Sequence, residues 1–560
     1  MRSSWKTIMD FMEVVRRSRV EGVSLQAARE GDIIVGGTLV VTAYFFIYST
    51  RKIAGEDELI ILHVAIDHVE RVKAPALTAV VCLKDFRRLQ FEFQTPEDCV
   101  DMMDALEALS KPVRIHHLHA FTHFPRVTLP PMLWPFSTAE ALLAAWGCSQ
   151  ERYRVSYINS GFKVCASYPQ DIIVPLSITD DEIKKSASYR HQGRFPMVCF
   201  HHKKSGAVLI KCGQPLVGPT SKRCREDVSI LNACLPGLSK GKVMDIRSQS
   251  IAQQHMSKGG GTEIPSHYPQ WRVEYAKLDS PLLLQASLTK LLDACGDPSL
   301  SHSSSWFGRL ESSGWLEHVS KLMSAAKAVS LAIHNDGSSV VVHGAGSRDA
   351  SLQVTSLAQI LLDPHCRTVH GFIELVKREW LDSGHPFSLR HNHVKSAPEK
   401  EKAPIFLQFL DSVWQVMQQF PLSFEFNEGL LHNLFVHSYS SVYGTFLYDS
   451  PMERRKNKLD DKTQSLWRYL SQPHVYSPLL NPLYDLNPSV LLLSVSPLTV
   501  TLWRRLYLNT SIEAQLTPPT LNALKELKDT NTALREKLST VRKELMDLQI
   551  KGRKFASNWS

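Results

Sequence analysis

The chain has 560 residues, 43% hydrophobic and 21% charged, with a formal net charge of +9. Single cores rarely grow past ~250–300 residues, so two or three domains are expected, and the composition is that of ordinary soluble globular domains. No stretch reaches ~18 uninterrupted apolar residues, which excludes a membrane-spanning helix on hydropathy, and the N-terminal segment lacks the apolar core of a signal peptide. The basic excess suits an acidic partner such as an anionic lipid surface or nucleic acid, although +9 over this length is dilute. Ten cysteines are scattered without a Cys-x2-Cys pair or a His/Cys metal spacing, so free thiols in a reducing compartment are expected, with no metal or cofactor.

In chain order, residues 20–95 read as strands. Gly36-Gly37-Thr38 is a turn signal, the run Leu39 to Tyr48 is rich in β-branched and aromatic residues, and 58–63, 79–83 and 89–93 continue the pattern. Lys84-Asp85 reads as a turn. Pro96 opens a helix with Cys99, Met102, Met103, Leu106 and Leu109 on one face. Strands closed by one amphipathic helix predict a small pleckstrin-like barrel over 1–111. Residues 112–135 hold four histidines and five prolines and read as a connector; His116, His117, His119 and His123 match no metal-ligand spacing. From 136 to 510 strands and helices alternate, predicting one large α/β domain. Within it Ala207 to Lys211 and Ser338 to His343 are strands, 351–362 and 371–381 are helices, and 390–404 reads as a charged surface loop. After Pro518-Pro519, Leu524, Asn531, Leu538 and Leu545 fall seven apart. Leu527, Leu534, Val541 and Leu548 form a second series three residues on. This a/d pattern predicts a coiled coil over 519–549.

The strand Val340 to His343 runs into Gly344-Ala345-Gly346-Ser347-Arg348-Asp349-Ala350-Ser351, and a helix follows. A glycine-containing loop between strand and helix N-terminus gathers backbone amides around an anion. The segment resembles the signature loop of the myotubularin phosphatases, Val-His-Cys-Ser-Asp-Gly-Trp-Asp-Arg-Thr, with Gln353-Val354-Thr355-Ser356-Leu357-Ala358 in register after it. On that alignment Gly344 stands at the nucleophilic cysteine and Ala350 at the phosphate-gripping arginine. Gly346, Ser347 and Arg348 replace aspartate, glycine and tryptophan, while Asp349 keeps the second aspartate. The family chemistry needs a thiolate nucleophile and a planar guanidinium fork. Neither glycine nor alanine supplies one, so no catalytic residue is expected in the degenerate loop. Ser347 would need an adjacent base to act instead. Two other Cys-x5-Arg spacings, Cys82 to Arg88 and Cys148 to Arg154, lack the glycine and the strand-to-helix setting.

The resemblance covers nearly the whole chain. It includes Ile66-Asp67-His68-Val69-Glu70 and Lys84-Asp85-Phe86-Arg87 of the family's GRAM domain, then Tyr189 to Pro196, Lys258 to Glu263, and Phe424 to Glu428. A segment that reads Asp-Ala-Arg-Pro and then two asparagines in active members keeps Asp245 and Arg247 here, with Ile251 and His255 at the asparagine positions. The fold class implied is multidomain: an N-terminal PH-like (GRAM) β-barrel, an inactive α/β cysteine-phosphatase-like domain over 136–510, and the coiled coil. The resemblance also implies a regulatory subunit that pairs with active myotubularin-related proteins 6, 7 and 8 and raises their activity on phosphatidylinositol 3-phosphate and 3,5-bisphosphate. It places the chain in the cytoplasm, peripherally on endosomal or other internal membranes, and links it to endosomal trafficking and autophagy, with no nucleic-acid partner. In a parallel homodimer Lys537 would face Arg542 of its mate, and a partner with acidic flanking residues would remove that conflict. A phosphoinositide-binding adaptor independent of any phosphatase is the alternative; an enzyme with a rearranged nucleophile is a third.

Overall fold

The computed structural model describes residues 14–26, 33–49, 59–71, 77–122, 132, 135–147, 151–237, 239–296 and 304–508, together with 537, 540, 541, 543 and 544. The N-terminal sheet contains β1 (Arg19–Gln26), β2 (Ile33–Val41), β3 (Phe45–Ser49), β4 (Leu59–Leu62), β5 (Ile66–Arg71), β6 (Thr78–Leu83) and β7 (Arg88–Glu92). Their order is β4-β3-β2-β1-β7-β6-β5, all antiparallel. Alternation in β7, Leu89 and Phe91 inward and their neighbours outward, gives one buried and one wet face. Helix Pro96–Ser110 closes the core with Cys99, Met102, Met103 and Leu106. Its first turn is fixed by the Thr95 hydroxyl, which accepts from the Asp98 amide, by Pro96 at the first helical position, and by two acidic residues.

Two local expectations are corrected here. The Gly36-Gly37 pair is not a turn but lies inside β2, and the run Leu39 to Tyr48 is not one strand but a hairpin. The turn falls at Thr42, whose hydroxyl donates to the Phe45 carbonyl and accepts from the Phe45 amide, closing it in three residues. Gly37 is needed because a Cβ there would collide with the ring of Tyr48, which packs across it.

The second sheet takes the order β10-β11-β14-β12-β13, with β10 (Met197–His201), β11 (Val208–Gly213), β12 (Gly241–Asp245), β13 (Trp271–Tyr275) and β14 (Val340–Gly344). A two-stranded ribbon, β8 (Tyr153–Ser156) and β9 (Ile172–Pro175), stands outside it. Only the β10–β11 pair of the five-stranded sheet is antiparallel. β14 is central and is buried on both faces, which explains its unbroken valine run. Val340 and Val342 enter the large core with helices Trp315–His334 and Ala350–Leu362, whereas Val341 enters the core on the other face.

The expectation of a surface loop over 390–404 fails in part. His391, Asn392 and His393 are buried, the His391 ring lies 4.0 Å from that of Tyr439, and His393 Nε2 lies 2.8 Å from the Ser438 carbonyl. Polar character misled because His393 finds a backbone carbonyl inside the fold, while the His391 ring packs between the rings of Phe387 and Tyr439. The same segment meets the N-terminal domain: Lys402 binds Asp67 at 2.6 Å and the Lys395 amide donates to the Pro112 carbonyl. At the β6–β7 turn, Phe86 adopts φ +73° and lies 5.2 Å from Phe435 and 5.8 Å from Tyr507, in the core of the second domain. The predicted helix over 371–381 is observed as Val369–Val376 continued by a π-turn, Lys377–Leu381. Of the coiled-coil positions, Leu524, Leu527, Asn531, Leu534, Leu538, Leu545 and Leu548 lie outside the described residues. Val541 is helical and half exposed, as are Lys537, Thr540, Lys543 and Glu544 helical and exposed. Among the described residues, no helix is long and apolar enough to cross a membrane.

Candidate functional site

The loop 344–349 emerges from the carboxyl end of the central strand β14, where Gly344 pairs with Gly213 of β11, and it feeds the buried helix Ala350–Leu362. The Gly344 amide donates to the Ser347 hydroxyl at 2.9 Å, and the Gln214 amide donates to the Ala345 carbonyl. Ser347 takes φ +53°, the left-handed region in which the family pattern has glycine; its short side chain, locked by the Gly344 amide, tolerates this. Among the described residues, the amides of Ala345, Gly346, Ser347, Arg348 and Asp349 donate to no protein acceptor. A Cβ at Gly346 would meet nothing within 4 Å. These backbone donors are thus not consumed by the protein, and the loop is open at Gly346.

The side chains around it are spent elsewhere. Arg348 donates to the Gly384 carbonyl at 2.6 Å and to the Asp449 carbonyl, which binds it to neighbouring loops. Asp349 takes two bonds from Arg390, at 2.7 and 3.2 Å, and lies 3.3 Å from His385. Burial alone would raise its pKa, but the His385 hydrogen bond and the Arg390 charge hold the carboxyl well below the usual carboxylate range. A carboxylate so held is a structural anion and has no proton to give a leaving group. Ser347 Oγ has no hydrogen bond to a histidine or carboxylate among the described residues, so nothing activates it.

Gly344 leaves no room for the side chain it lacks. A Cβ there would lie 2.6 Å from both Cγ1 and Cδ1 of Ile246, with Ser351 Oγ at 3.8 Å. Ser351 Oγ is itself buried without a hydrogen-bond partner among the described residues. Ile246 sits where the family segment has alanine, a signal present in the sequence but left unused. Sequence reasoning also missed Arg194, which braces the loop from behind: it donates to the Ser347 carbonyl at 2.8 Å, to Ser167 Oγ at 2.7 Å and to the Ser383 carbonyl at 3.0 Å, stacked 4.4 Å over Tyr168.

Beneath the loop, His343 turns away from it toward Glu263 (2.7 Å), which binds Arg190 (2.7 Å), which in turn grips Asp227 (2.6 Å); all four are buried. Burial would raise the Glu263 pKa, but His343 and Arg190 hold it far down. Arg247 makes a two-pronged pair with Asp245 and donates to Gln214 Oε1 at 2.6 Å and to the Gly261 carbonyl at 2.8 Å. Four of its five side-chain N–H donors are engaged by protein among the described residues. Ile251 is exposed, and among the described residues the His255 ring reaches only Gln214, at 3.4 Å. The structure therefore brings Gly344, Ala345, Gly346, Ser347, Arg348, Asp349 and Ala350 together in one loop, with neither thiol nor unengaged guanidinium among them.

Comparisons with known proteins agree with this architecture. The myotubularin-like phosphatase domain matches residues 126–455, and the GRAM domain of the myotubularin-related 6–9 group matches 19–110. Myotubularin-related protein 9 of Mus musculus is 38% identical over 97% of this chain and 99% of its own length. The phosphatidylinositol-3,5-bisphosphate 3-phosphatase MTMR6 of Homo sapiens is 34% identical over 89% of the chain and 80% of its own length. The human phosphatidylinositol-3-phosphate phosphatase MTMR7 is 33% identical over 85% and 73%. A matched family domain spanning more than half of the chain, on the fold and loop just described, identifies the chain as a member of the myotubularin family.

Proposed function

We propose that the chain is a pseudophosphatase that works as the regulatory subunit of an active myotubularin-related phosphatase. The carrying observation is the loop itself: Gly344 and Ala350 stand where nucleophile and phosphate clamp are required, while Arg348 and Asp349 are bound into the surrounding fold. Losing a nucleophile that acts within a unit costs on the order of a millionfold in rate. The a/d series from Leu524 to Leu548 supports pairing through a coiled coil, and the similarity to phosphatases of the 6, 7 and 8 type supports partners of that kind. Pairing raises the partner's activity on phosphatidylinositol 3-phosphate and 3,5-bisphosphate at endosomal and related membranes, which this chain meets peripherally.

The test is phosphate release from phosphatidylinositol 3-phosphate by an active family member, with and without this chain, and by this chain alone. Silence alone, with stimulation that vanishes when 519–549 is deleted, supports the proposal. Turnover by the chain alone overturns it. The five loop amides and the Ser351 hydroxyl, without partners among the described residues, favour a second reading, a phosphoinositide-binding adaptor, which gains if the chain binds the lipid and leaves the partner's rate unchanged.

A further inference from the structure

We propose that the PH-like domain carries a zinc site formed by His68 Nε2, Glu70 Oε1 and Cys82 Sγ. The antiparallel β5–β6 pairing sets His68 directly opposite Cys82, and Glu70, two residues along β5, shares their face. A register shift between Ile66 and His68 re-aims the strand at this point. The three ligand atoms lie within 4.8 Å of one another. Glu70 Oε1 is 3.2 Å from His68 Nε2 and 3.5 Å from Cys82 Sγ. Zinc bonds of roughly 2.0–2.1 Å to nitrogen and oxygen and roughly 2.3 Å to sulfur, at tetrahedral angles, require separations of about 3.3 and 3.6 Å. The two edges that meet at Glu70 thus already have the lengths of a tetrahedral site, and the third, from His68 to Cys82, is within 4.8 Å.

The outer groups fit as well. A histidine that ligates zinc usually passes its other ring N–H to a carboxylate, which fixes the tautomer and aims the free nitrogen. His68 Nδ1 lies 3.0 Å from Asp67 Oδ2, and the other Asp67 oxygen is held by Lys402 at 2.6 Å. Arg88 binds Glu70 Oε2 at 2.6 Å, which leaves Oε1 for the ion and neutralises the oxygen the ion does not use. Imidazole, thiolate and carboxylate are a donor set for a borderline divalent ion rather than for calcium or magnesium, which take all-oxygen cages. Three protein ligands leave the fourth position to water or an incoming ligand. Through Asp67 and Lys402 the site also lies on the junction between the two domains, so filling it stiffens the contact that joins them.

The test uses the full chain, stripped with chelator, reloaded with Zn2+ or Co2+ and dialysed against metal-free buffer. The expected result is one zinc per chain and, with cobalt, a near-ultraviolet thiolate-to-metal band. Cys82→Ser and His68→Gln abolish both, Cys224→Ser leaves both unchanged, and Asp67→Asn weakens binding by roughly 10–100-fold. A wild-type chain that retains no zinc overturns the proposal, as does a cobalt band that survives Cys82→Ser. Since Cys82 is buried and its variant could fail to fold, the exposed His68→Gln variant decides the question alone in that event.

Discussion

Restoring the missing thiol is the sharpest probe of how the loop lost its chemistry. In Gly344→Cys the new Cβ falls 2.6 Å from two carbons of Ile246, where carbon atoms rest at about 3.5–4.0 Å. Ile246 must turn away or the strand must shift, and overpacking of this size costs about 1–3 kcal/mol. Ile246→Ala removes both colliding atoms while itself losing about 1–2 kcal/mol, below the range for fully buried sites because Ile246 is only partly buried. The two changes together should then cost less than their sum by about 1–2 kcal/mol. Urea unfolding of the wild type, both single variants and the double variant closes the cycle. Additivity within about 0.5 kcal/mol would refute the steric reasoning. The same variants carry a chemical readout. A thiol at this position stands near the Ser351 hydroxyl at the start of a loop whose next five amides have no protein acceptor among the described residues, so its pKa should fall to roughly 7 or lower. Peptide-resolved alkylation against pH should show the thiol reacting fully at neutral pH only when Ile246→Ala accompanies it.

Other outcomes follow from the fold. Arg190→Met removes the cation that Asp227 and Glu263 share in a fully buried setting, so unfolding free energy should drop by about 3–5 kcal/mol, read by urea titration. Phe86→Ala should remove about 2 kcal/mol from the domain contact and let the N-terminal domain melt first, visible as a second calorimetric transition. Burial lowers the pKa of His63 to about 4, against about 6.5 unfolded, so this histidine is neutral in the fold. Its contribution is complete above the unfolded value and is lost as pH falls from about 6.5 toward 4, at about 1.4 kcal/mol per pH unit. His63→Gln should flatten that part of the stability profile, and an unchanged slope would contradict the assignment.

The sequence disclosed most where pattern and physics coincide. The period of helix 96–110 and the valine run of β14 are direct records of which faces are buried. The loop was legible because its neighbours, from Gln353 onward, kept register while the chemical residues changed. What was hidden depended on contacts between distant segments. His391 and His393 look like surface residues until Tyr439 and Ser438 are brought beside them. The two glycines of β2 read as a turn because only the folded hairpin shows Tyr48 lying over Gly37. Arg194 gives no local sign that it reaches the loop carbonyl of Ser347. His68 and Cys82 stand fourteen positions apart, a spacing with no meaning until β5 and β6 pair.

The burial of Phe86 has a mechanical consequence. A ring at the tip of a hairpin, packed against Phe435 and Tyr507, works together with the separate Asp67–Lys402 pair as a dowel with a locking pin. Two domains joined in this way resist rotation against one another. If a bilayer seats the first domain, as in the proposed function, the same contacts carry the loop at Gly344 to it at a set height and tilt, with less rotational freedom left to lose on docking.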